Sequence, residues 1–255
     1  MKTTLKLSTL LIALASIFTF SSCLNDSDDA TGPAYYSYVT ISGDKLFGYT
    51  FYADNGSILI PTSTSVEQVL PGLSDSNVKR AFISFDVINA PADGILQPNQ
   101  TYQIELGSSF YSNYAIPTYQ TLLSFEPTDS LHTDNQAINN VNNNIWAANG
   151  YVNAQMTLNY EVGKTFYMNT YYTEEDIDVD NNTLNLNIYY NSKSQNPTSN
   201  GTSVFSFRLP EDAAFHYMTD SINLVLKAIT TYGNKELTKV GECKMAIDAF
   251  HGPRY

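Results

Sequence analysis

His132, His216 and His251 are the residues most able to exchange protons near neutral pH, and none lies within metal-ligand spacing of another. The chain has no H-E-x-x-H, no G-x-S-x-G and no phosphate-cradling glycine loop, so zinc and serine-hydrolase chemistry have no support. Glu174, Glu175, Asp176, Asp178 and Asp180 crowd one short stretch, and Asp176, Asp178 and Asp180 have the alternating oxygen spacing of a calcium loop. Counting from Asp176, the sixth and twelfth positions of an EF-hand fall on Asn181 and Asn187, so the turn glycine and the bidentate ligand are both missing. A solvated acidic turn is favoured over an ion site, and no metal or cofactor is expected. Tyr111, Tyr114 and Tyr119, and further on Tyr171, Tyr172 and Tyr189, could act as flat, amphipathic platforms for sugar rings or protein partners. The competing reading is that these rings cover strand faces, the commoner use of aromatics in β-proteins. No catalytic residue is assigned, and the expected activity is non-catalytic binding.

Whatever does the binding must be carried by a sizeable body. The 255 residues allow one large domain or two ordinary ones, and 43% hydrophobic residues can fill their cores. Charged residues make up only 15%, too few for a disordered or coiled-coil chain. With 13 basic residues against 25 acidic ones the net charge is -12, which repels nucleic acid. Nineteen tyrosines and thirteen phenylalanines beside one tryptophan, among many asparagines, describe aromatic strands separated by polar turns.

The amino terminus reads as an address. Lys2 and Lys6 precede an apolar run from Leu7 to Phe20, too short to span a bilayer comfortably and closed by Ser21, Ser22 and Cys23. Phe20-Ser21-Ser22-Cys23 resembles a bacterial lipobox, with Phe20 where leucine is commoner, so residues 1–22 are expected to be removed and Cys23 to carry lipid, palmitate included. Residues 23–34, with Asp26, Asp28 and Asp29, are too polar to bury and form an acidic tether. Such a cluster resembles the tag that sends Bacteroidetes-type lipoproteins to the outer face of the outer membrane. Losing Lys2 and Lys6 leaves 11 basic residues against 25 acidic ones, a charge of -14 that anionic lipid repels. Membrane attachment would then rest on the acyl chains, at about 0.8 kcal/mol per buried CH₂. With Cys23 acylated, Cys243 has no partner and reads as a buried, inert thiol on a strand.

Two β-regions follow. Tyr36–Ser42 and Leu46–Tyr52 lead to Asp54-Asn55-Gly56 and then Ile58, Leu59 and Ile60, a hairpin whose Asn55 and Gly56 suit a two-residue primed turn. Residues 81–87 and 102–106 alternate as half-buried strands, and residues 35–126 suit a small barrel or curled sheet. Residues 127–144, asparagine-rich and without sustained period, form a linker. Regular alternation then returns in Val152–Tyr160, Phe166–Tyr172, Leu184–Tyr190, Phe205–Leu209, Ile222–Ala228 and Cys243–Ile247. That spacing is what an antiparallel sandwich over residues 145–255 requires, with one short helical turn at Pro210–Tyr217.

The order of these features resembles the NigD-like lipoproteins of Bacteroidetes. The likeness is carried by the lipobox and acidic tether, by Tyr52-Ala53-Asp54-Asn55-Gly56-Ser57-Ile58-Leu59 and by Arg80-Ala81-Phe82-Ile83-Ser84-Phe85. In the second half it is carried by Ile145-Trp146-Ala147-Ala148-Asn149-Gly150-Tyr151-Val152-Asn153, Leu184–Ile188 and Ser203–Leu209. Where related chains often have Arg-His-Asn, this one has Tyr189-Tyr190-Asn191, so no role passes to a histidine there. The resemblance implies an all-β chain, with an N-terminal OB-like barrel followed by a C-terminal antiparallel β-sandwich. It implies an outer-membrane lipoprotein, on the periplasmic or cell-surface face, that contacts a protein or peptide, with bacteriocin immunity as the most specific form. The alternative is a glycan-binding accessory lipoprotein for nutrient capture.

Overall fold

The computed structural model describes residues 35–62, 66–70, 73, 78–107, 113–123, 135–194, 196–216, 220–232 and 235–246. Cys23, Tyr111, His132 and His251 lie outside them.

The first body is an OB-like barrel. Its strands are β1 (Tyr35–Asp44), β2 (Gly48–Ala53), β3 (Ile58–Pro61), β4 (Arg80–Val87), β5 (Thr101–Leu106) and the short β6 (Tyr114–Ala115). Hydrogen bonding runs β1-β2-β3-β5-β4, and β4 pairs back onto β1, which closes the sheet and removes its edges. Every second residue points inward, so Val39, Ile41, Phe51, Leu59, Ile83, Phe85 and Ile104 form a buried core. Val66, Leu70 and Leu73, in and after a one-turn helix at Val66–Val69, join the same core.

The β2–β3 turn differs from the primed form expected of Asn55-Gly56. Gly56 N–H donates to the Ala53 carbonyl, and only Gly56 takes positive φ, at 88°. Asn55 keeps an ordinary backbone and spends its side-chain oxygen on the N–H and hydroxyl of Ser57. The extra residue in the turn aims Asp54 back across the outer face of the barrel.

The second body is a β-sandwich. One sheet runs β7 (Thr118–Tyr119), β14 (Ser199–Arg208), β10 (Tyr151–Tyr160), β9 (Asn140–Ala148). The other runs β16 (Lys235–Ala246), β15 (Ser221–Tyr232), β13 (Thr183–Asn191), β11 (Tyr167–Tyr172), β8 (Thr121–Leu123), with β12 (Ile177–Asp178) on β13. Most pairings are antiparallel. β7–β14, β8–β11 and β13–β15 are parallel, the last because β14 and a 3₁₀ turn at Glu211–His216 intervene between β13 and β15. The inward residues of β10, β13, β14 and β15 make one continuous core, separate from that of the barrel. Opposite the β7–β8 side, Gly241 of β16 lies over Ile145 of β9, so close that a Cβ would meet its Cδ1 at 1.8 Å.

The seam between the bodies is narrower than composition suggests. Thr118–Leu123 pairs with β14 and β11, so it belongs to the sandwich although it falls inside the expected 35–126 barrel. Strand β9 begins at Asn140, inside the expected 127–144 linker. Its asparagines are tolerated because Asn140 and Asn142 hydrogen-bond along the sheet, Asn142 to Gln155 on β10.

Candidate functional site

The two bodies meet around a buried cation. Arg80, the first residue of β4, lies on the outer face of the barrel opposite Thr40 and is fully buried. Its two terminal nitrogens bind Asp54 Oδ1 and Oδ2 at 2.6 Å each, a bidentate pair. The same nitrogens reach Thr40 Oγ1 at 3.0 Å and, across the junction, Asn153 Oδ1 on β10 at 2.9 Å. Asn153 is held by the Ser206 hydroxyl at 2.6 Å, and Trp146 Nε1 on β9 donates to Asp54 Oδ2 at 2.7 Å. Asn149 donates to the Tyr52 carbonyl at 3.0 Å. Arg80 and Arg208 both lie over the ring of Tyr151, at 5.5 and 5.4 Å from its centroid. The ion pair lies within the barrel, where breaking a buried pair costs about 3–5 kcal/mol, and the sandwich is tied to its two charges through Asn153, Trp146 and Asn149.

The β9–β10 connection positions this lock. Ala148 pairs with Tyr151, leaving Asn149 and Gly150 as a two-residue loop with φ of 51° and 78°. The primed asparagine-glycine turn of the chain is thus here, and it places Asn149 against the β2–β3 turn.

Beside the buried lock the rings come to the surface. On the outer face of the barrel, β1 presents Tyr36 and Tyr38, β4 presents Phe82 and β6 presents Tyr114. Phe82 is the centre: its ring lies 6.1 Å from Tyr36, 4.9 Å from Tyr38 and 5.3 Å from Tyr114. Trp146 of the sandwich adds a fifth ring, 4.9 Å from Tyr38. Tyr36 is 58% exposed and Tyr114 42%, so the cluster is open to solvent at its rim. The Tyr38 and Tyr114 hydroxyls are hydrogen-bonded to each other; burial, reinforced by Tyr114, pushes the Tyr38 hydroxyl up to about 12. The result is a contiguous aromatic face, contributed by both bodies and fixed from beneath through the indole N–H on Asp54.

Of the six expected tyrosine platforms, Tyr114 alone belongs to this exposed face. Tyr172 and Tyr189 are buried, and the Tyr172 hydroxyl donates to Asp212 at 2.9 Å. Tyr119 packs among Phe166, Phe205 and Phe207 on the sandwich core, where burial pushes its hydroxyl up to about 12. Tyr171 is half-buried, its hydroxyl raised by burial and by the charge of Asp176. Strand faces rather than platforms account for Tyr119, Tyr172 and Tyr189. Among the described residues, no three acidic, histidine or cysteine side chains converge on a metal position. Asp176 instead caps its own turn, accepting from the Thr173 N–H and hydroxyl, and Asp178 accepts from the Asn181 N–H and amide, which lowers its carboxyl. The Asp180 backbone N–H also donates to Asp178, while its side chain is exposed. Cys243 sits half-buried against the sandwich core, and burial pushes its thiol up to about 11.

Sequence reasoning passed over Arg80, Asp54, Trp146 and Asn153 as chemistry. The available signal was a charged residue opening an otherwise apolar strand, together with the sole tryptophan and an Asn-Gly pair between alternating strands.

Residues 121–240 match the profile of the NigD-like C-terminal beta sandwich domain. The chain carries a NigD-like C-terminal domain. This bears out the family resemblance read from the sequence. Similar solved structures include a NigD-like immunity protein from Bacteroides caccae, 16% identical over 80% of this chain and 91% of that one, with a TM-score of 0.53. A protein from Bacteroides fragilis described as a candidate lipoprotein is 12% identical over 82% of this chain and 96% of that one, at 0.55. A candidate toxin-related protein from Parabacteroides distasonis is 18% identical over 84% and 94%, at 0.56. At these identities the likeness shows a shared fold alone. No curated protein matches the chain significantly by sequence.

Proposed function

We propose that this NigD-like protein is a non-catalytic recognition module, held at the outer membrane by lipid on Cys23, that binds a protein or peptide through the aromatic face at the domain junction. The observation that carries the reading is the five-ring cluster of Tyr36, Tyr38, Phe82, Tyr114 and Trp146. Tyrosine and tryptophan supply large, rigid contact area at small entropic cost, and such rings dominate binding energy at protein interfaces. A face built from both bodies and locked by Arg80 is pre-organised, which lowers the ordering cost of association. Support for envelope display comes from the lipobox-like Cys23, the acidic tether and a similar structure described as a candidate lipoprotein. The NigD-like immunity protein of B. caccae supports an immunity role, for which the family resemblance supplies bacteriocin as the specific form.

The test uses the full chain and a Tyr36→Ala/Tyr114→Ala variant, each expressed in its lipidated form on cells. Cross-linked partners are identified by mass spectrometry and re-bound as pure proteins. The expected result is a partner captured by the parent and lost with the two rim tyrosines. Identical capture by both chains overturns the assignment of this face, and unchanged toxin sensitivity after gene deletion removes the immunity form. Retention on a carbohydrate array that disappears in the variant, without a protein partner, would favour the glycan alternative.

A further inference from the structure

Resting on that reading, we infer that the aromatic face receives a cationic side chain, arginine foremost, from a basic segment of the protein partner. Three observations converge on it. First, the face is a π surface: Tyr36, Phe82 and Tyr114 stack with interplanar angles of 16° and 27°, and Tyr36 and Tyr114 stand open at its rim. Stacked rings present negative quadrupole faces, which attract a guanidinium laid over them and hold a neutral group less well.

Second, the protein already uses this chemistry next door, with a different outcome. Tyr151 is flanked by Arg80 and Arg208, so its two cations come from within the chain. Among the described residues, every guanidinium-ring pairing recorded uses Tyr151, and none reaches Tyr36, Tyr38, Phe82, Tyr114 or Trp146. Among the described residues, no guanidinium covers the exposed rings, which leaves their faces open to a cation from a partner. Arg80 cannot serve, because its terminal nitrogens are held by Asp54, Thr40 and Asn153.

Third, charge selects the same occupant. The chain carries a net charge of -12, which draws a basic segment towards it and repels an acidic one. Arginine answers both the rings and the field, since it is more weakly hydrated than lysine and stacks flat on aromatic faces. A neutral glycan satisfies the rings but gains nothing from the charge.

The chain contains one tryptophan, and it lies in the face, so Trp146 fluorescence reports occupancy directly. The purified full chain is titrated with a blocked hexapeptide alternating arginine and glycine. Parallel titrations use the same peptide with citrulline for arginine, with glutamate for arginine, and maltohexaose. Citrulline keeps the shape of arginine and removes the charge. The expected result is a saturable Trp146 signal with the arginine peptide, and binding at least about tenfold weaker with citrulline. The Tyr36→Ala/Tyr114→Ala variant, with unchanged melting temperature, is expected to lose about tenfold in affinity for the arginine peptide.

Equal binding of the citrulline peptide overturns the inference. So does full retention of arginine-peptide binding in the variant, which would mean only diffuse attraction to an acidic surface. Failure of all four probes overturns it as well. If a cellular partner is nonetheless captured by the parent and lost in the variant, protein recognition stands and only its cationic chemistry fails. If the partner is captured equally by both chains, the face itself is wrong.

Discussion

The domain junction and the acidic turn after β11 both gather carboxylates among hydrogen-bond donors, yet burial assigns them different work. At the junction the Asp54 side chain is 12% exposed and its partner Arg80 is fully enclosed, so each oxygen meets a guanidinium nitrogen in a low-dielectric setting. In the turn, Asp176 and Asp178 are half-buried beside the exposed Glu174, Glu175 and Asp180, and they accept from neutral backbone, hydroxyl and amide donors, mostly within three residues, with Asn187 adding one to Asp176. Water competes less with the first arrangement, whose cation is fully enclosed, than with the second. The lesson is that a crowd of charges in sequence identifies a solvated turn, whereas a single charge inside an apolar pattern marks the place where two bodies are joined.

The sharpest way to break this contrast is Arg80→Ala, which leaves the nearly enclosed Asp54 carboxylate without its cation. A loss of about 3–5 kcal/mol is expected in urea unfolding, with the Trp146 signal melting ahead of the far-ultraviolet circular dichroism of the sandwich. Coincident transitions with no loss of stability would show that the junction is not a lock. A smaller effect is expected from Trp146→Phe, which keeps the ring but removes the donor to Asp54 Oδ2; the cost is about 1–2 kcal/mol, read by differential scanning calorimetry. Asp176→Ala removes the capping box shared with Thr173, and about 1 kcal/mol should be lost from the melting free energy while calcium changes nothing in either chain. A calcium-dependent rise in the parent alone would restore the ion reading of the turn.

The last test has no effect at neutral pH. The Tyr38 hydroxyl is raised from 10.0 to about 12 in the folded protein, first by burial and then by Tyr114. The folded state therefore holds this proton more tightly than the unfolded chain, so the contribution is intact below pH 10 and fades as pH climbs towards 12. Tyr38→Phe should flatten part of the alkaline fall in melting temperature and leave the curve between pH 6 and 9 in shape as it was. A parallel displacement of the two curves across the whole range would assign Tyr38 a packing role alone.

Much of the architecture was legible because strand alternation is a local property. Val152, Ala154, Met156 and Leu158 announce an inward face wherever they occur, and all four are buried in the sandwich core. The domain seam was harder to read. Thr118–Leu123 is too short to show a period, and its two edge pairings depend on β14 and β11, far along the chain. The tyrosines were harder still. Tyr114 and Tyr172 are the same residue type on short strands, yet one faces solvent and the other donates to Asp212 from inside.

Sequence alone determined the all-β character, the two bodies, the absence of recognisable catalytic motifs and the acidic charge, since composition and period-two patterning follow from the chain without reference to partners. Tertiary structure alone decided that Asp54, Arg80, Trp146 and Asn153 converge and that five rings from four strands make one face. The contacts across the junction link residues separated by as many as 97 positions. No local pattern encodes such a pairing, because its energy exists only after both cores have formed and water has been expelled between them.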